Sequence, residues 1–246
     1  MIRKKTLLKR VEQIEGMLSN NEAILLYNLA KKTINGVVIE IGSFKGKSTI
    51  ALGYGVKDGH GVRVYAIDPH KGDLSYHEWE LEKNALPSIK EFQQNISRNR
   101  EIKEYIYPLF MTSEEAIEQV KQQADLIFVD GDHRYEGVIK DFNLWKHKLN
   151  YGGIIAFHDS FSWEGVIRVV DEEVFGNSQY VCLGFVNSIT YFKKVNQIKF
   201  KDSIRNLMFF YIRKLYVKII FMHLPKPLIV VLKKINSVIM KILNKK

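Results

Sequence analysis

Two short blocks of acids and imidazoles hold the densest chemistry in this chain: Asp130-Gly131-Asp132-His133 and His158-Asp159. Carboxylates beside histidines suit a hard divalent ion such as Mg²⁺ or Mn²⁺, or an imidazole that takes a proton from a hydroxyl. A third block, Glu40-Ile41-Gly42-Ser43-Phe44-Lys45-Gly46-Lys47-Ser48-Thr49, is a glycine-rich turn headed by an acid. Gly42 permits a tight turn, and Gly46 lets backbone approach a ligand at a helix N-terminus. A phosphate-cradling loop needs four residues between its first glycine and Gly-Lys-Ser; here there are three, and Glu40 would repel phosphate. A dinucleotide fingerprint needs glycine at position 44, which is Phe. The remaining ligand reading is a nucleoside with no phosphate and a positive charge. Asp68, twenty-two residues after Gly46, is spaced to accept from both hydroxyls of a ribose, although an Asp after a strand also commonly caps a helix.

These residues need strands to carry them. Gly36–Gly42 is a β-branched run bounded by glycines, the pattern of a strand buried on both faces of a parallel sheet. Further strands are expected at Val62–Ile67, Ile106–Leu109, Leu126–Val129, Ile154–Phe157, Tyr180–Leu183 and Ile189–Phe192. Helices are expected near 4–19, at Ala23–Ala30 behind an Asn20-Asn21 cap, and near 48–57, 88–99, 113–122, 134–149 and 164–174. This alternation predicts a doubly wound α/β sheet, in which ligands bind at the carboxyl ends of strands. Glu40, Asp68, Asp130 and His158-Asp159 all fall at such ends. The segment Lys71–Leu86, with Tyr76, Trp79 and several acids, is long for a strand–helix connection and reads as a lid or as a surface insertion. His70 could touch a ligand but is more simply a solvated loop residue. Cys182, the lone cysteine, reads as core and excludes a disulfide framework.

Charge divides the chain. Of its net +10, residues 197–246 contribute +11, from twelve Lys/Arg and one acid, while residues 1–196 are nearly neutral at −1. The expected organisation is therefore N-terminal helices over 1–35, a site-bearing domain over 36–195 and a basic amphipathic helical tail over 196–246. In the tail, 204–222 places Leu207, Met208, Tyr211, Ile212, Leu215, Ile219 and Met222 on one stripe, with Arg213, Lys214 and Lys218 opposite. Residues 228–243 repeat the pattern after Pro225-Lys226-Pro227. Neither stretch has an uncharged run of the roughly 18 residues that a membrane span requires. Apolar stripes against basic faces fit an anionic membrane surface over 204–243, or packing on the body or on a second copy. Nucleic acid is not expected, because the neutral body offers no continuing basic patch. The N-terminus lacks the apolar stretch of a signal peptide, so the expected location is cytoplasmic, at most peripheral at the inner face of a membrane.

Together, E-x-G-x-x-x-G-x-S at 40–48, the acid at 68, Val129-Asp130-Gly131-Asp132-His133-x-Tyr135-Glu136 and Gly152-Gly153-Ile154-Ile155-Ala156-Phe157-His158-Asp159 resemble class I S-adenosylmethionine-dependent methyltransferases. The likeness covers about residues 20–195 and is strongest to the branch containing bacterial metal-dependent sugar O-methyltransferases. It implies a Rossmann-like seven-stranded sheet with helices on both faces and a reversed final hairpin. It implies that Glu40, Gly42, Ser43, Gly46 and Ser48 bind the methionine part of S-adenosylmethionine, with Asp68 on the ribose and Thr112-Ser113-Glu114 beside the adenine. Asp130 would border the cofactor and, with His158 and Asp159, hold Mg²⁺ or Mn²⁺, leaving His133 as the catalytic base. His158 departs from the pattern, since the family has an acid there. A metal-free site with His133 or His158 as base remains open, as does a purely structural role for the cluster with Asp132 as a helix cap. Trp163 and Ser162 are candidate contacts for a small-molecule or lipid-linked sugar acceptor. A non-catalytic S-adenosylmethionine-binding protein and an RNA methyltransferase are the competing functions.

Overall fold

The computed structural model describes residues 1–71 and 88–221 of the chain. The segment read as a lid or a surface insertion, from residue 72 on, and the second tail stretch at 228–243 lie outside the described residues. Strands β1 (Val37–Ile41), β2 (Val64–Ile67), β3 (Ile106–Leu109), β4 (Ala124–Val129), β5 (Leu149–Phe157), β6 (Tyr180–Val186) and β7 (Ile189–Lys194) form one sheet, ordered β3-β2-β1-β4-β5-β7-β6. The pairs among β1 to β5 are parallel, and β7 runs antiparallel to both β5 and β6. This is the doubly wound sheet the alternation predicts, with the seven strands and reversed final hairpin that the resemblance implies. The strand order turns back between β1 and β4, where a ligand crevice opens in doubly wound sheets.

Register aligns the strand ends. Ile41 lies level with Ile67 on one side and Val129 on the other, and Val129 lies level with Phe157. The next residues, Gly42, Asp68, Asp130 and His158, therefore emerge along one edge. Alternation then sets which face each side chain meets. In β1, Val37, Ile39 and Ile41 join one core cluster, while Val38 joins the other, beneath helices α1 (Lys4–Glu12), α2 (Asn20–Lys31) and α3 (Lys47–Asp58). Glu40 shares the parity of Val38 and so faces α3. In β5, Ile155 and Phe157 face the first cluster, whereas Ala156 faces the second, which directs His158 toward α2.

The remaining helices are α4 (Ser88–Arg98), α5 (Ser113–Ala116), α6 (Tyr135–Trp145), α7 (Glu164–Val169, continuing as a π turn over Val170–Val174) and α8 (Phe200–Phe221). Several elements differ from the sequence reading. The first helix stops at Glu12, and Ile14 and Leu18 are buried without it. The cap of α2 is Ser19 rather than Asn20 or Asn21: its hydroxyl accepts from the Glu22 amide while Glu22 reaches back to the Ser19 amide. That is a reciprocal capping box. The expected helix over 113–122 is a single turn, and the helix expected to reach 149 yields Leu149 to a longer β5.

In α8 the expected apolar stripe lies largely outward, and of the three basic residues read as opposite it only Arg213 is buried. Phe209 and Arg213 are fully buried, and Tyr211, Leu207 and Leu215 are exposed. The inward face of α8 meets β6, an edge strand whose backbone groups need partners. Asn206 supplies them, accepting from the Cys182 amide at 2.8 Å and donating to the Tyr180 carbonyl at 2.7 Å, while Arg205 donates to the Leu183 carbonyl at 2.9 Å. Arg213 donates to Asp171 and to the Ser160 carbonyl. A sheet edge selects polar residues on the buried side of a helix, and a hydropathy wheel assigns that side to solvent. Cys182 is buried as expected.

Candidate active site

The turn after β1 is shaped by two left-handed glycines. Gly42 has φ 89°, and a Cβ there would fall 2.1 Å from the Asp130 carbonyl oxygen, so only glycine lets the loops after β1 and β4 meet. Gly46, at φ 87°, is the N-cap of α3 and leaves that helix start without a side-chain cap. Glu40 is fully buried beneath it, and its Oε2 accepts from Thr49 Oγ1 at 2.5 Å. Burial raises its pKa to about 8, against hydrogen bonds from Ser48 and Thr49 that lower it, and the Asp130 and Asp68 charges push it further up. Its other oxygen, Oε1, and the buried hydroxyl of Ser43 have no hydrogen-bond partner. Buried polar atoms are rarely left unsatisfied, so these two mark where a ligand belongs. Thr49 is a contact the sequence reading did not single out; its position one turn into α3 is the available signal.

Asp68 holds the neighbouring loops in shape. Its Oδ2 accepts from the Phe44 amide at 2.7 Å and its Oδ1 from the His70 amide at 2.6 Å. Both of those residues are left-handed, at φ 42° and 53°. Non-glycine residues rarely adopt that conformation, and three of the four among the described residues follow β1, β2 and β5 at the same edge of the sheet. His70 is buried rather than solvated, edge-on to Phe92 and Phe110, with Nδ1 2.7 Å from Ser88 Oγ. One residue beyond Asp68 begins an open cleft lined by Pro69, Lys71, Phe110, Met111, Glu115 and Gln119. Met111 and Glu115 bracket the Thr112-Ser113-Glu114 segment expected beside an adenine. Ser113 itself is engaged from behind, accepting from Trp145 Nε1 at 2.7 Å.

The acid–imidazole cluster does converge. His158, buried, places Nδ1 2.9 Å from Asp130 Oδ1 and 3.2 Å from Asp159 Oδ2, while its Nε2 faces Glu22 Oε1 at 3.8 Å. Burial alone would disfavour its charge, yet the surrounding carboxylates hold its pKa well above the ordinary imidazole range. Glu22 is likewise buried, and burial would raise its pKa, but its contacts with His158, Ser188 and Ser19 bring it down to about 2. Glu22 Oε1 also accepts from the Ser188 amide at 2.8 Å and hydroxyl at 2.7 Å, bracing the β6–β7 hairpin. Its capping-box spacing is legible in the sequence; its reach to His158 is not.

His133 stands at the mouth. Its Nε2 lies 3.2 Å from Asp159 Oδ2, and its ring stacks on Trp163 with centroids 4.7 Å apart and planes 24° apart. Asp159 opposes its burial through contacts with His133 and His158, which hold it well below the usual carboxylate range. Ser162 Oγ lies 3.1 Å from Asp159 Oδ1. Asp132 is committed elsewhere: its carboxylate accepts from the Arg134 amide at 2.8 Å and from its guanidinium. Among the described residues, the set with ligand atoms close enough to share an ion, within 4.8 Å of one another, is Asp130, His133 and Asp159. It joins both predicted acids with His133; His158, whose two nitrogens are turned to carboxylates, acts within the cluster as its cation.

Residues 39–160 match the family model of a methyltransferase domain. An uncharacterised protein of Acanthamoeba polyphaga mimivirus is 34% identical over 126 residues, 49% of this chain and 50% of that protein. The chain thus spans about half the length of this curated relative. Among solved structures, the O-methyltransferase NovP is similar at 16% identity and TM-score 0.55, over 79% of this chain and 80% of its own. An O-methyltransferase from Bacillus cereus, in complex with S-adenosylhomocysteine, is similar at 18% identity and TM-score 0.57, over 79% and 93%. Likenesses at this identity concern the fold. No described helix is long and apolar enough to cross a membrane. Sheet order, strand-end acids and family match agree: residues 39–160 match a methyltransferase domain, and the fold that carries them is the one shared by the S-adenosylhomocysteine-bound O-methyltransferase above.

Proposed function

We propose that this chain is an S-adenosylmethionine-dependent O-methyltransferase that acts on a hydroxyl of a sugar or glycan precursor. The observation that carries the reading is the pairing, along one sheet edge, of an acidic cradle that no basic side chain among the described residues neutralises with a histidine oriented by a carboxylate. S-adenosylmethionine fits the cradle by charge, because its cationic methionine end suits Glu40 and the unpartnered Ser43 hydroxyl, and its ribose suits Asp68. When bound, it supplies a methyl group on a positively charged sulfur that leaves as a neutral thioether.

His133 accepts the acceptor hydroxyl proton at the ring nitrogen turned away from Asp159, and Asp159, 3.2 Å from Nε2, orients the ring and stabilises the imidazolium that results. Trp163 fixes the plane of the His133 ring and offers an aromatic edge beside the acceptor position, a surface suited to a sugar ring. His158 offsets the charge of Asp130 and Asp159, so that these acids do not repel one another as they close on the site. Glu22 fixes His158 from the opposite side.

A second reading is favoured by the proximity of Asp130, His133 and Asp159. Two carboxylates and an imidazole would hold Mg²⁺ or Mn²⁺, which would polarise the acceptor hydroxyl, and His133 would then serve as ligand instead of base. Chelation separates the two. Full activity in EDTA keeps His133 as base; activity lost in EDTA and restored by Mg²⁺ or Mn²⁺ makes it a ligand. The function itself is tested by incubating the chain with methyl-labelled S-adenosylmethionine and glycan extracts, soluble and lipid-linked. Label in a glycan hydroxyl supports the proposal. Tight S-adenosylhomocysteine binding with no turnover on any extract turns the chain into a binding protein, and label in added RNA makes it an RNA methyltransferase.

A further inference from the structure

The outward face of α8 is apolar along its length. Phe200, Ile204, Leu207, Met208, Tyr211 and Leu215 recur at helical spacing, and their exposures run from 42% for Met208 to 82% for Phe200. At 100° per residue they fall within one arc of roughly 100°, and Lys218, expected opposite the stripe, instead falls inside that arc. Exposed Lys201 and Lys214 flank it. Contiguous apolar surface of this kind marks an interaction site rather than ordinary surface.

We propose that this face of α8 docks on an anionic membrane surface. Charge selects the occupant. A two-fold contact between copies would bring the same patch against itself, setting its lysines against their like. An anionic bilayer takes the apolar arc at its acyl boundary and the flanking lysines at its headgroups. The chain beyond α8 adds charge of the same sign: residues 222–246 hold six lysines and no acid. The inner face of the same helix clamps the acceptor side of the site, because Arg213 donates to the carbonyl of Ser160, the neighbour of Asp159. Docking through the outer face therefore holds the His133–Asp159 mouth at a fixed position relative to the lipid. The proposal does not depend on the reaction the site performs.

The test is flotation of the full chain with vesicles of phosphatidylcholine alone or with added phosphatidylserine, at low and high salt. The wild type is expected to float with the anionic vesicles, at least about tenfold less with neutral ones, and less at high salt. The Leu207→Glu/Tyr211→Glu/Leu215→Glu variant is expected to lose about 100-fold in partitioning while still binding S-adenosylhomocysteine, which reports that it is folded. Should that variant fail to fold, the Lys201→Glu/Lys214→Glu/Lys218→Glu variant provides the same comparison with the apolar arc intact. Flotation of the folded variants equal to wild type places binding elsewhere in the chain and overturns the proposal. Absence of wild-type flotation also overturns it, and a wild-type dimer that the first variant turns into a monomer assigns the face to a second copy.

Discussion

The acids around Glu40 and those around Asp159 occupy one sheet edge but are handled in opposite ways. Among the described residues, no basic side chain pairs with Glu40; its hydrogen bonds come from hydroxyls, and neighbouring Asp68 and Asp130 only raise its pKa. Asp130, Asp159 and Glu22 instead enclose a cation of their own, His158. The first group is completed by a positive ligand, whereas the second has part of its charge offset from within and is shaped to hold His133 in place. One half of the edge is built to bind and the other to orient.

The sharpest way to break this contrast is at the mouth. His133→Ala is expected to lower kcat by about 10²–10⁴-fold while leaving S-adenosylhomocysteine binding intact, measured by turnover and calorimetry. An unchanged kcat would move the base elsewhere. Next, His158→Ala leaves buried acids without their cation and is expected to destabilise the fold by about 3–5 kcal/mol in denaturant titration. A smaller cost would mean that the cluster is hydrated and that His158 does not neutralise it.

On the binding side, Glu40→Gln removes a charge rather than a shape, and cofactor affinity is expected to drop about 10–100-fold. The pH dependence carries the same information. Glu40 titrates near 8 in the folded chain, above its ordinary 4.5, so the ligand-free protein takes up a proton on folding between those values. Its contribution to stability is full below about pH 4.5 and is lost as pH rises through 8, with a slope of at most about 1.4 kcal/mol per pH unit. A cationic ligand favours the ionised form, so affinity should rise with pH over that window, by up to about tenfold per unit, and lose this slope in Glu40→Gln. A slope that persists in the variant belongs to another group. The smallest effect is expected from Asp68→Asn, about tenfold in affinity, because the amide oxygen can still accept from one of the two amides the carboxylate now serves.

Much of this arrangement was legible because the acids fall at or just beyond the ends of apolar strand runs. Val37–Ile41 and Val64–Ile67 announce buried strands, and Glu40 and Asp68 are anomalous at their ends. Ser19 and Glu22 carry the spacing of a capping box, yet the adjacent Asn20-Asn21 pair competes for the same role in one dimension. The contact from Glu22 to His158 spans two distant segments and leaves no local signature. In α8, Asn206 and Arg213 look like solvent-facing residues until the edge of β6 supplies backbone partners to the first, and Asp171 and the Ser160 carbonyl supply partners to the second.

Alternation of strands and helices, the acids at strand ends and the concentration of positive charge beyond residue 196 are properties of local pattern, and the sequence alone determined them. Which acids receive a cation from the protein and which are left for a ligand was decided only by tertiary structure. So was the face of α8 that turns outward. Both depend on what lies across a gap of many residues, where burial and unsatisfied backbone groups, rather than hydropathy along the chain, determine which side chains point inward.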